Sequence, residues 1–424
     1  MHTLKEIYQD NEERNFIDPS LYSRYRVKAG LRNDNGTGVK VGLTKICDVI
    51  GYKIIHEKKY NIDGQLIYRG YPINYLVNKQ PSDKICGFEE TAYLLIFGTL
   101  PNVDQLKTFK DYLLNFKMGP VDLQYETPNI LNALQIEVLK LYAKDPSADT
   151  DDLEERMMKG LKILASIPLF TFSYARNKVF KSYPYPDRSL AENILCMARG
   201  NDQYTFEEAK IMDTLLMVHA DHGGGNNSTF ANVVISSTGT DIYSCISAAI
   251  GSLKGPKHGG ANCKVTNMFK VIFHEVGFTT DQTTLKKIAN RILDKDFFDH
   301  SGLIYGIGHA IYTKSDPRAQ LIHGQCEALA KSKGQEEIYN CIHAFEKVAI
   351  EVMKERKGID VCANVDYYSG YVYSLLGIES DLFTPLFAIS RTAGWVSHHL
   401  ENRQSNRKLI RPANVYVGEM EEIK

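Results

Sequence analysis

The chain has 424 residues, enough for two or three domains and for a large core without a disulfide or metal staple. Lys and Arg number 50 against 51 Asp and Glu, so the net charge of −1 excludes a field that would draw in nucleic acid or an anionic membrane without a local patch. At 43% hydrophobic and 24% charged residues the chain is too apolar to be disordered.

Residues 1–36 are polar and end in NDNGTG, which reads as a loosely attached N-terminal arm. Val39 to Ile55 is rich in branched residues and reads as β. KYNIDGQLIYRG follows, with Asp63-Gly64 between two runs, and that step predicts a hairpin turn there. From Gly87 onward apolar residues recur at spacings of three and four. They predict helices over Glu89 to Phe97, Val103 to Phe116, Ile130 to Tyr142, Leu153 to Ala175 and Phe206 to His219. Little β signal follows Gly70, so the expected class is mainly α with a small N-terminal β element. The acidic run DPSADTDDLEE reads as a solvated loop and helix start. A Lys- and Glu-rich helical block over 261–370 lies between GPKHGGAN and NVDYYSG. On the glycines alone those joints are ordinary turns.

The eight cysteines are scattered and form no C-x-x-C pair, which predicts reduced, buried thiols and no zinc knuckle. The polar N-terminus carries no apolar h-region, and no apolar run is long enough to span a bilayer. The expected location is therefore the cytoplasm, where the sequons at Asn35, Asn226 and Asn227 carry no glycan.

Chemistry-bearing residues gather in five segments. HADHGGGN holds His219 and His222; it suits an imidazole donating to an anion better than a metal, because no H-E-x-x-H pattern or nearby thiolate accompanies it. In GPKHGGAN, helix N-terminal amides would keep His258 neutral and able to donate to a developing oxyanion; in isolation a turn histidine with no role is the better reading. In GIGHAIYTKSDPRA, His309 follows a G-x-G that lacks the third glycine of a dinucleotide fingerprint. Arg318 behind a proline would clamp a carboxylate or form a surface ion pair. In ANVDYYSG, Asp366 lies among tyrosines, which suits either a general base of raised pKa or a helix cap. Arg391 is the only charge between Leu382 and Val396, on the segment that also carries the only tryptophan, Trp395. A guanidinium in such an apolar helix must meet an anion or lie at the surface. Neutral histidines, one carboxylate base and several arginines form the set that carbanion chemistry on a polycarboxylate requires.

These segments, with IRPANVYVG after them, occur in the order and approximate spacing of the citrate synthases, and the chain resembles that family from RGYPI at 69–73 to Gly418. The resemblance implies a two-domain helical fold: an arm over 1–36, a large dimerisation domain of 37–260 with 371–424, and a small CoA-binding domain of 261–370, with the glycine joints as hinges. It implies a catalytic trio of His258, His309 and Asp366. It assigns His222, Asn226, Arg318, Arg391 and Arg411 to oxaloacetate, with Arg411 reaching the neighbouring subunit's site in a homodimer. Lys314 and Asn364 are the implied CoA contacts. Neither a metal nor a cofactor is implied, since acetyl-CoA is a substrate, and neither nucleic acid nor membrane is an expected partner. Two departures stand out: Thr313 and Ala413 replace arginines common in the family. The implied activity is condensation of acetyl-CoA with oxaloacetate. The alternatives are a 2-methylcitrate synthase using propionyl-CoA, a catalytically silent citrate or CoA sensor, and a citryl-CoA lyase, for whose usual ligase module the length leaves no room.

Overall fold

The computed structural model describes residues 3–10, 16–119, 123, 127–405 and 408–418. Of the expected arm, residues 1, 2 and 11–15 lie outside them. Two compact units emerge. The first joins Met1–Leu43 to Ile410–Lys424, and the second is Thr44–Leu409.

The first unit carries the short helices Leu4–Asp10 and Ser20–Arg24, a 3-10 turn at Ala29–Leu31 and a bridge between Arg32 and Gly38. Its C-terminal residues 411–418 are exposed.

The second unit opens with a three-stranded antiparallel sheet: β1 (Cys47–Ile55), β2 (Lys58–Tyr68) and β3 (Tyr71–Pro72), in that order. The hairpin turns at His56 and Glu57, both at positive φ, which is the backbone of a type I′ turn. The expected turn at Asp63-Gly64 is thus corrected: both residues lie inside β2. Gly64 is there for close approach, since a Cβ would come within 2.1 Å of the Ser315 carbonyl oxygen.

Helices make up the rest. Those that build the site are α1 (Gly87–Phe97), α2 (Ile130–Ala143), α3 (Leu153–Ala175), α4 (Phe206–His219), α5 (Asn227–Ser236), α6 (Ile242–Leu253), α7 (Ala261–Val276), α8 (Pro317–Ser332), α9 (Glu336–Lys357), α10 (Val365–Leu375) and α11 (Phe383–Gln404). The five helices expected from periodicity all form, with ends within two residues of the reading. Caps explain several starts: Asp152 caps α3, and Thr205 with Glu208 closes a capping box on α4.

α11 is the axis of the core. Nearly every residue from Phe383 to His399 is buried, and α1, α3, α4, α5 and α6 pack around it. A helix apolar on all sides is stable only when surrounded. α3 approaches closely at Gly160, where a Cβ would lie 2.5 Å from Val396. A second group packs around α10, where Tyr367 meets Phe269 of α7 edge-on at 5.6 Å, and Phe269 meets Phe345 of α9 the same way at 5.7 Å. No described helix is long and apolar enough to cross a membrane, and all eight cysteines are unpaired.

Candidate active site

Five segments of the second unit meet. They are the loop after α4, the turn between α6 and α7, the loop before α8, the first turn of α10 and the middle of α11.

α4 ends at His219, and the chain then turns at Gly223 (φ +75°) into α5. His222 therefore lies beyond the helix. It is buried, and its Nε2 meets no partner among the described residues. Burial first, then the charges of Arg318, His309, Arg391 and His258, push its pKa well below the usual imidazole range. His219 Nδ1 lies 2.7 Å from the Leu215 carbonyl oxygen, and burial takes its pKa down to about 3. Asn226 caps the start of α5 by position, and its Oδ1 accepts from the Ser228 hydroxyl at 2.9 Å.

His258 sits in the turn between α6 and α7, and α7 starts only at Ala261. Its pKa falls to about 4, through burial and then the charge of Arg391. The expected neutrality thus holds, but burial causes it rather than helix amides. His258 Nε2 lies 3.4 Å from the Ser228 backbone N and 3.1 Å from the Ser228 hydroxyl oxygen; accepting from the backbone N–H leaves the proton of the neutral ring on Nδ1. Ser228 is itself anchored by the indole N–H of Trp395 at 3.2 Å.

The G-x-G before His309 has a backbone purpose. Gly306 and Gly308 both have positive φ, and their loop pairs with the strand-like stretch before α10. Asn364 N–H donates to the Gly306 carbonyl, and Gly308 N–H donates to that of Cys362, each at 2.8 Å. A Cβ on Gly306 would strike Tyr367 at 2.8 Å. His309 Nδ1 accepts from the backbone N–H groups of both Ile311 and Tyr312 at 3.1 Å. A nitrogen accepting twice bears no proton, so the neutral ring carries it on Nε2. The His309 ring stacks on Tyr312 at 4.7 Å and meets His222 edge-on at 5.1 Å.

Arg318, in the first turn of α8, is buried. Its Nε and Nη2 donate to the two oxygens of Asp316 at 3.0 and 2.7 Å. The expected carboxylate clamp is therefore already closed on a residue of the same chain, and the pair is buried rather than superficial. Lys314 is exposed, and the Thr313 hydroxyl is buried without a partner among the described residues.

Asn364 caps α10: its Oδ1 accepts from the Asp366 N–H at 3.0 Å, and its Nδ2 donates to the Gly308 carbonyl at 2.8 Å. Both ends of the Asn364 amide are thus engaged locally, and Asp366 is relieved of the capping role. Burial pushes Asp366 up to about 6, even though Arg318 and Arg391 pull it down. Arg391 is fully buried in α11; its Nε donates to the His219 carbonyl at 2.7 Å, while Nη1 and Nη2 meet no partner among the described residues. Phe387 joins the group, with His219 at 4.7 Å, the Arg391 guanidinium carbon at 4.7 Å and His258 at 6.2 Å from its ring.

Nine of the ten singled-out residues thus lie on segments of the second unit that carry this group or abut it, Lys314 among them but exposed; Arg411 lies on the exposed 411–418 stretch of the first unit. The chain reading missed Asp316, Ser228, Tyr312 and Phe387. Asp-Pro-Arg was a usable signal for the first, since an Asp two residues before an Arg at a helix start both caps and pairs. The other three become visible only once the chain is folded. The chemistry available is a carboxylate titrating near 6, two neutral imidazoles, and one guanidinium with two open NH2 groups.

A family model for "citrate synthase, C-terminal domain" matches residues 33–413. The citrate synthase of Haloferax volcanii is 37% identical over 386 residues, covering 87% of this chain and 94% of that one. The 2-methylcitrate synthase 1 of Corynebacterium glutamicum is 33% identical over 366 residues, covering 83% and 89%. Among solved structures, the citrate synthase of Thermoplasma acidophilum in ternary complex with carboxymethyl coenzyme A and oxaloacetate superposes with a TM-score of 0.76 at 25% identity, covering 94% of this chain and 98% of that one. The chain belongs to the citrate synthase family.

Proposed function

We propose that the protein condenses acetyl-CoA with oxaloacetate and hydrolyses the product to citrate and CoA. The observation that carries this is the pairing of a base poised near pH 6 with two histidines whose donor nitrogens are set by backbone hydrogen bonds. Arg391 and His222 would hold the oxaloacetate carboxylates, with Asn226 and Arg318 beside them. Asp366 takes a proton from the acetyl methyl group. His258 Nδ1–H donates to the enolate oxygen that develops. The methyl carbon then attacks the oxaloacetate ketone carbon. His309 Nε2–H polarises that ketone and protonates the alkoxide formed by the new C–C bond. Water then cleaves the citryl thioester, releasing CoA as the thiol. At pH 7 a base of pKa about 6 is mostly ionised yet still strong enough to abstract the proton, which is the compromise general-base catalysis favours.

The same reading carries a homodimer in which Arg411 completes the partner's site, a 261–370 block that closes over CoA, Lys314 as a CoA contact, and a cytoplasmic location. One relative is named a 2-methylcitrate synthase, so propionyl-CoA is the competing thioester. A single methylene in an apolar pocket discriminates by only ~1–3 kcal/mol. The test is thiol release from purified protein with oxaloacetate and either thioester, in EDTA. Oxaloacetate-dependent release that favours acetyl-CoA in kcat/KM is expected. A preference for propionyl-CoA moves the assignment to 2-methylcitrate, and no release from a folded protein refutes both.

A further inference from the structure

One face of α11 grips the loop after α4. Arg391 Nε donates to the His219 carbonyl at 2.7 Å, Gly394 N–H donates to that of Ala220 at 3.1 Å, and His398 Nε2 donates to Asp221 Oδ2 at 3.1 Å. Residues 391, 394 and 398 are spaced three and four apart, hence on one side of the helix. A Cβ on Gly394 would come within 2.5 Å of both the Ala220 carbonyl and Asp221 Oδ1, so only glycine lets the two segments approach this closely. Asp221 and His398 are 0% and 2% exposed.

Arg391 poses a problem of charge. A buried guanidinium is costly unless an anion meets it. Asp221 is the strongest of the charges that support the Arg391 proton against burial. Burial would push the Asp221 carboxyl up, but His398 and then Arg391 outweigh it and keep the carboxyl below its ordinary value. Even so, Asp221 makes no ion pair with Arg391: its Oδ2 is held by His398 and by the Gly223 N–H at 3.2 Å, and its Oδ1 is buried with no hydrogen-bond partner among the described residues.

We infer that Asp221 and His398 are positioning residues: Asp221 is the standing counter-charge that allows Arg391 to be buried, and His398 ties that carboxylate back so that Nη1 and Nη2 stay open for a substrate carboxylate. The inference rests on the site taking oxaloacetate. Without His398, Asp221 is free to swing onto Arg391 and engage its NH2 groups, and the substrate then has to displace an internal carboxylate.

The test is calorimetric oxaloacetate binding to the full chain, alongside turnover. His398→Gln is expected to weaken binding about tenfold or more, the scale of one charge-assisted hydrogen bond. Its kcat at saturating oxaloacetate is expected to stay within about twofold of the parent, because ground-state affinity alone is lost. Asp221→Asn is expected not to weaken binding, since it removes a negative charge beside a dianion. Adding Asp221→Asn to His398→Gln is expected to restore affinity to within about threefold of the parent, a coupling that a double-mutant cycle reads directly. A purely structural pair gives the reverse: each change weakens binding, and the double variant is the weakest. That result, or a His398→Gln protein that binds as tightly as the parent, overturns the inference. If His398→Gln does not fold, Asp221→Asn decides alone, and weakened binding there overturns it. A folded parent that binds no oxaloacetate refutes the reading of the site as well, which separates the two failures.

Discussion

Arg318 and Arg391 are both buried, both close enough to Asp366 to lower its pKa, and opposite in state. Arg318 is closed: Asp316, two residues before it, takes two of its N–H groups. Arg391 is open: its one bond goes to a backbone carbonyl, and both NH2 groups remain without a partner among the described residues. The difference follows from the local sequence. Arg318 stands in the first turn of a helix whose cap is an aspartate, so its partner comes with the chain. Arg391 stands in the middle of a helix with no acidic residue within a turn, so an anion must come from elsewhere. One guanidinium thus supplies a fixed charge, and the other a fork of N–H donors.

The largest expected effect concerns Asp366, the proposed base. Asp366→Asn is expected to lower turnover by about 10²–10⁴, the usual worth of a general base. The same change is expected to raise stability at neutral pH. The native carboxyl titrates near 6, above its unfolded value, so its ionisation opposes folding. That cost is absent below about pH 4, grows as pH rises to about 6, and is full above it, at roughly 3 kcal/mol for a shift of about two units. Thermal melts at pH 7.5 and pH 4 check the sign.

Next come the arginines themselves. Arg391→Met removes two charge-assisted hydrogen bonds to the ligand, worth about 1.5–3 kcal/mol each, and oxaloacetate affinity is expected to fall by about 10²–10⁴. The unliganded protein is expected to lose little stability, because an underpaired buried charge goes with it. Arg318→Met strands Asp316 in the interior and is expected to cost about 3–5 kcal/mol in denaturant unfolding. Equal destabilisation by the two changes would erase the contrast between a closed and an open arginine.

The pH profile is a milder probe. kcat/KM for the thioester is expected to rise with pH through about 6, as free Asp366 loses its proton, and to level off above it. The smallest effect is Trp395→Phe, which removes the indole bond to Ser228 and with it part of the support behind His258. A loss of about 1 kcal/mol, or several-fold in kcat/KM, is expected in steady-state assays.

The residues proposed for the site stood out in the chain through glycines and prolines, and the family resemblance gave them their roles: His258 and His309 stand beside glycines that set a turn, and Arg318 behind a proline that starts a helix. The long helices were legible from their periodicity. The hairpin turn was not, because Asp63-Gly64 is an equally strong local signal. What selects His56-Glu57 is the passage of Gly64 against Ser315, a contact 251 residues away along the chain. His398 was unreadable for the same reason, since its partner Asp221 is 177 residues distant. Short-range spacing reports turns and caps, while pairings that set a side chain's charge state appear only after folding.

The most direct measurement follows the carbon. Acetyl-CoA labelled with ¹³C in its methyl group is incubated with oxaloacetate and the protein, and the product is read by NMR. The account predicts that the label moves into a methylene of citrate, in step with released thiol, and stays in the thioester when Asp366→Asn replaces the parent. Label recovered in free acetate, or left in acetyl-CoA by the folded parent, would contradict it.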